Sequence, residues 1–256
     1  MVEKAMVAVC DILGFRDLVK RSTFEELVDH HIPSILNVQK GIPKQEASIP
    51  PTHEQIFIQR LVGHAFFSDT VLLYSLSEDK YGYENLIDVT MHLIAYPILW
   101  PEYRFRVGIS YGEFYRDAEY NVYAGKALVE GYELEKNQDW CGGALTKTAE
   151  TKIKEANVNP YNLVQYDAPF NFSNTKSHLV VNWTLGKHAP IDKEFGWLTR
   201  NYALPLTEEE KAVERKLINT EKFHLENAYS AGHVETIWRK QNEHLVLLET
   251  TVHNFR

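Results

Sequence analysis

The stretch "VAVCDILGFRDLV", Val7–Val19, decides the fold. It closes the apolar run "AMVAVC" (Ala5–Cys10), which is short, valine-rich and uninterrupted, and so predicts a central buried strand. The run ends on a carboxylate, Asp11, with Gly14 and a second acid, Asp17, just behind it. Phe15, Leu18, Val19, Phe24, Leu27, Val28, Ile32, Ile35 and Leu36 then recur at helical spacing, which predicts one long helix or two short ones broken near Pro33. A carboxylate at the end of a buried strand has two readings. It can cap the helix that starts near Gly14, or it can be a hard oxygen ligand for a divalent metal. The remaining sequence has to separate them.

Beyond the helical segment, "PKQEASIPPTHE" (43–54) is loop-like, with three prolines and few large apolar residues. In "IFIQRLVGHAFFSDTVLLYSLS" (56–77), two apolar runs flank a turn at Ser68 and Asp69, which predicts a β-hairpin with an acid at its tip. Leu86, Val89, Leu93, Ile94 and Ile98 share a helical register, predicting a helix over about 83–99. Phe105, Val107, Ile109 and Tyr111 alternate, predicting a strand that ends at Gly112. A helix over 125–136, a short strand and a helix within 141–156, and two strands around the polar loop "NFSNTKS" (171–177) complete the series. The order β-α-β-β-α-β-α-β-α-β-β predicts an α+β fold with a mostly antiparallel, ferredoxin-like sheet flanked by helices. From 205 onward the character changes. Thr207 and Glu210 form a capping-box pattern before a periodic run, and a second helical pattern follows over 232–255. The expected division is therefore a domain over 1–200 and a helical C-terminal extension over 201–256, packed on the core or on a partner subunit.

The chain has 256 residues, 44% of them hydrophobic and 24% charged, with a net charge of −8. That balance suits a globular protein and argues against general binding of DNA or anionic membrane, which needs a broad positive field. A small polyanion such as a nucleotide is still accessible through a few local cations or a metal bridge. No apolar run approaches the ~20 residues that cross a bilayer. The start of the chain reads as a strand rather than a signal peptide. Two cysteines, Cys10 and Cys141, make no disulfide framework and point to a reducing cytoplasm.

Asp11 and Asp69 gain weight as a pair. In a ferredoxin-like sheet the first strand and the hairpin strands can lie side by side, so two strand-end carboxylates can face one point. Paired hard oxygens suit Mg²⁺ or Mn²⁺, with phosphate oxygens completing the shell. The competing readings are a helix cap for Asp11 and a turn residue for Asp69. Adjacent histidines in "DHH" (29–31) point about 100° apart and are poor joint ligands. There is no P-loop or paired-cysteine motif.

"DILGF" (11–15) resembles the metal-binding strand end of class III nucleotide cyclases, and "FFSDTVLLYS" (66–75) resembles the hairpin carrying their second metal Asp. "RFRVGISYGEFY" (104–115) is similar to that family's Arg-x-Gly-Ile-x-x-Gly strand, "YAGKALVEGYELE" (123–135) to the helix after it, and "WCGGALTKTAETKI" (140–153) to the following segment. These landmarks run in the family's order over about 5–185. The resemblance implies that Asp11, Asp69 and the Ile12 carbonyl hold two Mn²⁺ or Mg²⁺ ions. It implies that backbone N–H groups of Leu13, Gly14 and Phe15 cradle the terminal phosphates, and that a homodimer builds each site from both subunits.

The chain departs from the adenylate cyclase pattern at four positions. Ala65 stands where that pattern has an adenine-reading Lys, and Val122 where it has the partner acid or Thr. Val129 and Glu133 stand at the transition-state Asn and Arg positions, so another cation must face the phosphates; Lys126, Arg116 and Lys176 are the candidates. The pyrimidine cyclases of the bacterial antiphage system called Pycsar keep the metal acids and lose the adenine pair, and "GKALVEGYELEKNQDWCG" (125–142) and "YDAPFNFSNTKSHLVVNW" (166–183) resemble that branch. The resemblance implies a lyase that converts UTP, or alternatively CTP, to the cyclic nucleotide that activates a separate effector. Phe66, Phe67, Tyr123 and Tyr132 are available to fill the space a smaller base leaves. Two rivals stand beside this: an inactive cyclase-fold regulator that binds a nucleotide, favoured by Val129 and Glu133, and a diguanylate synthase, disfavoured because the hairpin reads "FFSDT".

Overall fold

A computed structural model describes residues 3–33, 62–98, 104–159, 162–171, 177–185 and 208–228. The run around Val7 forms the central strand β1 (Glu3–Ile12), whose residues Ala5–Cys10 are all buried. A short helix α1 (Phe15–Arg21) follows. Then comes α2 (Phe24–Glu26), capped by reciprocal bonds between Thr23 and Glu26 and continued by a π turn over Leu27–His31. Within the described residues the helical region is divided at Ser22–Thr23, where Thr23 supplies a fresh N-cap, and the chain beyond Pro33 lies outside the described residues. The hairpin is β2 (Val62–Phe67) and β3 (Thr70–Ser75), with Ser68 and Asp69 as its two-residue turn. Next are helix α3 (Lys80–Ile98), strand β4 (Phe105–Asp117), strand β5 (Val122–Ala124) and helix α4 (Lys126–Asn137). Strand β6 (Gly143–Leu145), helix α5 (Lys147–Glu155), strands β7 (Leu163–Tyr166) and β8 (His178–Val181), a 3₁₀ turn at Trp183–Leu185 and helix α6 (Glu208–Ala228) complete the order.

The sheet runs β2-β3-β1-β4-β6-β8-β7, with β5 paired to the far end of β4. Among the described residues only the β4–β6 pair is parallel. Two details differ from the sequence expectation. β4 continues five residues beyond Gly112, because Glu3–Ala5 of β1 still pair with it there and β5 takes over as partner beyond. β5 itself, three residues long, carries too short a pattern to be read in advance. The loop over 43–54, the strand residues 56–61, most of "NFSNTKS", Lys176, Thr207 and the pattern over 232–255 lie outside the described residues.

Strand alternation sorts the core into two layers. Met6, Ala8, Cys10 and Ile12 face α3, which buries Tyr83, Leu86, Ile87 and Ile94 against them. Ala5, Val7 and Val9 face the other way, with Ala65, Leu72, Tyr74 and Phe114, under the start of α4 at Ala127. Each fully buried valine or leucine here stabilises the fold by about 1.5–3 kcal/mol. α6 docks through Phe223, whose ring lies 4.8 Å from those of Trp140 and Tyr166 and 5.7 Å from Trp183. Cys10 and Cys141 are buried free thiols. Among the described residues no helix is long and apolar enough to cross a membrane.

Candidate active site

Side-chain alternation places Asp11 on the α4 face of the sheet, in line with Val9 and Val7. Its register partners are Thr70 on β3 and Arg106 on β4. The hairpin tip is tied to the same place, because the Ile12 N–H donates to the Asp69 carbonyl at 3.2 Å. The tip needs a left-handed residue, supplied by Ser68 at φ 56°. Asp11 and Asp69 therefore end adjacent strands at one edge, close enough that the charge of Asp69 acts on Asp11.

The Arg106 guanidinium is shared. One nitrogen, Nη2, lies 3.2 Å from Asp11 Oδ2 and 2.6 Å from Glu135 Oε1, while Nη1 donates to the Gln138 carbonyl at 3.4 Å. Glu135 reaches this spot because α4 presses backbone to backbone on β4. A Cβ on Gly108 would stand 2.0 Å from the Gly131 carbonyl oxygen and 2.6 Å from the Glu135 nitrogen. The Ser110 hydroxyl also donates to the Ala127 carbonyl, pinning the helix start. Burial raises the Glu135 carboxyl to about 7, against the pull of Arg106 and with the help of Asp11. Burial also raises Asp11, opposed by Arg106 and reinforced by Asp69.

Beyond Asp11 the chain turns at Gly14, whose φ of 78° favours glycine, and α1 begins. The Leu13 N–H donates to the Arg104 carbonyl at 2.8 Å. Of the three expected phosphate donors, Leu13 is therefore committed to the sheet, leaving Gly14 and Phe15.

Next to Asp11 on the same face lies an apolar groove of about 380 Å³, lined by Val9, Phe67, Thr70, Leu72, Tyr123, Leu128, Val129 and Tyr132. Three of the four aromatics proposed to fill a base pocket are here. The fourth, Phe66, belongs to the opposite face and packs on the α3 layer, because adjacent strand residues point to opposite sides. Ala65 is buried in the core layer beneath the groove, across from Leu72, and offers no hydrogen bond. Val122 is 47% exposed and does not line the groove; its neighbour Tyr123 turns in instead.

The expected cations lie elsewhere in the chain. Lys126 pairs with the exposed Glu113 at 3.3 Å, and Arg116 pairs with Glu3 at 3.4 Å. Glu113 sits opposite Lys4, seven residues along the ladder from Asp11 and about 24 Å away within one chain. The charged groups that do meet Asp11 are Arg106 and Glu135, with Lys216 of α6 acting electrostatically on both acids. Arg106 was legible inside the "RVGIS" motif. Glu135 and Lys216 had no local signal, since each arrives through a long-range contact.

Among the described residues, no three His, Cys, Asp or Glu side chains converge as a ready metal cage. The donor set fits a hard divalent ion as part of a shell. Asp11 is a half-buried carboxylate whose proton affinity is raised by burial and further by the charge of Asp69, and a dication would offset both.

No family model and no curated protein matches this chain. Among solved structures it is similar to the catalytic core of a rhodopsin-guanylyl cyclase with converted specificity, in complex with ATPαS. The identity is 11% and the TM-score 0.50, over 70% of this chain and 95% of that one. It is also similar to the adenylyl cyclase CyaB from P. aeruginosa, at 13% identity and TM-score 0.48, over 71% and 94%. At such identities the likeness speaks for the fold alone, and the fold is that of the class III nucleotide cyclase catalytic domain.

Proposed function

We propose that the chain is a nucleotide cyclase that converts UTP to 3′,5′-cyclic UMP and pyrophosphate, and that it works in the cytoplasm as a homodimer in bacterial antiphage signalling. The observation that carries this reading is the placing of Asp11 and Asp69 at one edge of a cyclase-type sheet, tied by the Ile12–Asp69 bond. Asp11, Asp69 and the Ile12 carbonyl are the residues to hold two Mn²⁺ or Mg²⁺ ions. Such ions, when bound, acidify the ribose 3′-hydroxyl and neutralise the triphosphate. The chemistry joins the 3′-oxygen to the α-phosphorus and breaks the bond to pyrophosphate.

The chain's own side chains supply orientation. Arg106, clamped between Asp11 and Glu135, fixes the Asp11 carboxylate at the strand end. Glu135 keeps the guanidinium from swinging into solvent. The Gly14 turn offers the N–H groups of Gly14 and Phe15 to phosphate oxygens. The choice of a pyrimidine rests on the base side: Ala65 presents no reader for adenine, and Phe67, Tyr123 and Tyr132 narrow the groove. CTP is the alternative substrate. The cyclic nucleotide then acts on a separate effector protein.

A second reading, a nucleotide-binding regulator without turnover, is favoured by one observation. Val129 and Glu133 are both exposed and replace the polar pair expected on α4. Incubating the purified chain with each of the four NTPs and Mn²⁺, followed by nucleotide chromatography, separates the two. Cyclic UMP or cyclic CMP supports the cyclase. Tight binding of one NTP with no product supports the regulator, and a cyclic purine nucleotide overturns the pyrimidine assignment.

A further inference from the structure

The groove beside Asp11 is walled by hydrocarbon and by aromatic rings that are already engaged. Phe67 meets Tyr123 edge to face at 5.8 Å, Tyr123 stacks on Phe114 at 6.3 Å, and the Lys136 ammonium sits 5.6 Å over the Tyr132 ring. Thr70 carries the one aliphatic hydroxyl among the described lining residues. The residue is partly buried, and its hydroxyl makes no hydrogen bond among the described residues.

Strand register fixes where that hydroxyl stands. The Ile12 N–H donates to the Asp69 carbonyl directly opposite, which makes the next pair along the ladder, Asp11 with Thr70, a non-hydrogen-bonded one. In such pairs the Cα atoms are only about 4.5 Å apart and the side chains lie closest. Alternation puts Thr70 on the face of Leu72 and Tyr74, which is also the face of Asp11 and Val9. Thr70 therefore stands at a boundary. Asp69 precedes it in the chain, Asp11 faces it across the strands, and Val9 with Leu72 forms the next rung on the same face.

A ligand that leaves the two acids for the groove meets Thr70 first. For a nucleoside triphosphate held by Asp11 and Asp69, the 3′-oxygen lies at the acids and the base lies away from them. The group next to the 3′-oxygen, on the adjacent ring carbon, is the 2′-hydroxyl. A threonine hydroxyl both donates and accepts, and its methyl packs on hydrocarbon, so it suits a sugar hydroxyl at a polar–apolar boundary. We propose that Thr70 binds the ribose 2′-hydroxyl and so selects ribonucleotides over 2′-deoxynucleotides. This rests on the nucleotide reading of the Asp11 site and adds a sugar specificity to it.

Isothermal titration into the full chain with Mn²⁺ tests it without turnover. The probes are the four ribonucleoside triphosphates with an imido bridge between the α- and β-phosphorus, which blocks release of pyrophosphate, and their 2′-deoxy counterparts. In the unaltered chain the ribo form is expected to bind at least about threefold tighter than the deoxy form, the yield of one neutral hydrogen bond. Thr70→Val, of the same shape and suited to a strand, is expected to bring that ratio to about one by weakening the ribo form alone. Thr70→Ser, which keeps the hydroxyl, restores the ratio. A merely structural threonine would weaken both forms together. Thr70→Ala repeats the measurement if the Val variant is poorly folded by circular dichroism. Equal binding of the ribo and deoxy forms by the unaltered chain overturns the inference and leaves the nucleotide reading standing, as does an unchanged ratio in the Val or Ala variant. Failure of the unaltered chain to bind any of the probes overturns both. Thr70-dependent discrimination with no cyclic product from the four NTPs sinks the cyclase reading alone.

Discussion

The β1–β4 ladder carries Arg–carboxylate pairs at both ends, in opposite settings. At one end Arg106 sits between Asp11 and Glu135, with side-chain exposures of 11%, 26% and 3%. At the other, Arg116 meets Glu3 at 33% and 47%, and Lys126 meets Glu113 at 77% and 53%. The groups are alike; what differs is the cover. α4 lies over the first end, so its acids lose water and their proton affinities rise. The second end stays wet, and its pairs are worth little. The difference teaches that one pairing of groups is a solvated surface contact or a buried charged cluster according to whether a helix lies over it.

The sharpest way to break the comparison is to delete one arginine from each end. Arg106→Ala strands Glu135 and Asp11 without a counter-ion and is expected to cost about 3–5 kcal/mol in urea unfolding. Arg116→Ala is expected to cost under about 1 kcal/mol, its stacking over Tyr74 included. Similar losses at both ends would show that the cover does not matter.

Asp69→Asn tests whether the covered end is chemical rather than structural. Turnover is expected to fall at least about a hundredfold in the nucleotide assay while the thermal midpoint stays within a few degrees. Substantial residual turnover would remove Asp69 from the site.

Glu135 gives the comparison a pH signature. Its carboxyl holds a proton to about pH 7 in the folded chain and to 4.5 when exposed, so the folded state binds the extra proton between these values. The stability this contributes is fully present below about 4.5 and is lost as pH rises through about 7. Glu135→Gln in EDTA is expected to flatten stability over that window by about 1–3 kcal/mol. An unchanged slope would mean Glu135 is already ionised. At the wet end, Lys126→Ala is expected to change stability by under about 0.5 kcal/mol in the same experiment.

How far the sequence led depended on the range of each contact. Asp11 was legible because a carboxylate at the end of a buried run is anomalous by itself, and Asp69 because a two-residue turn is a local pattern. The succession of strands and helices along the chain followed from periodicity within single segments, whereas the neighbour order of the strands depends on long-range pairing. The Arg106–Glu135–Lys216 grouping was not legible. Glu135 depends on where Gly108 lets α4 settle, and Lys216 on the docking of a helix about a hundred residues away along the chain. Lys126 is next in sequence to the Gly125 landmark, and within one chain β4 carries it to the opposite end of the ladder from Asp11. The bond from the Leu13 N–H to the Arg104 carbonyl was not legible, because a backbone N–H gives no sign in the sequence of which carbonyl it will meet.

The contact of Gly108 with Gly131 has a consequence for how this protein can be altered. Because main chain meets main chain there, the helix has a fixed fulcrum that no side chain can adjust. Residues on either side of it are therefore separable. Glu135 is buried on the sheet side of the helix, whereas Val129 and Tyr132 stand on its outward flank, where both are about half exposed over the groove. An engineer could rewrite what the groove accepts by exchanging those two residues and leave the charged cluster undisturbed.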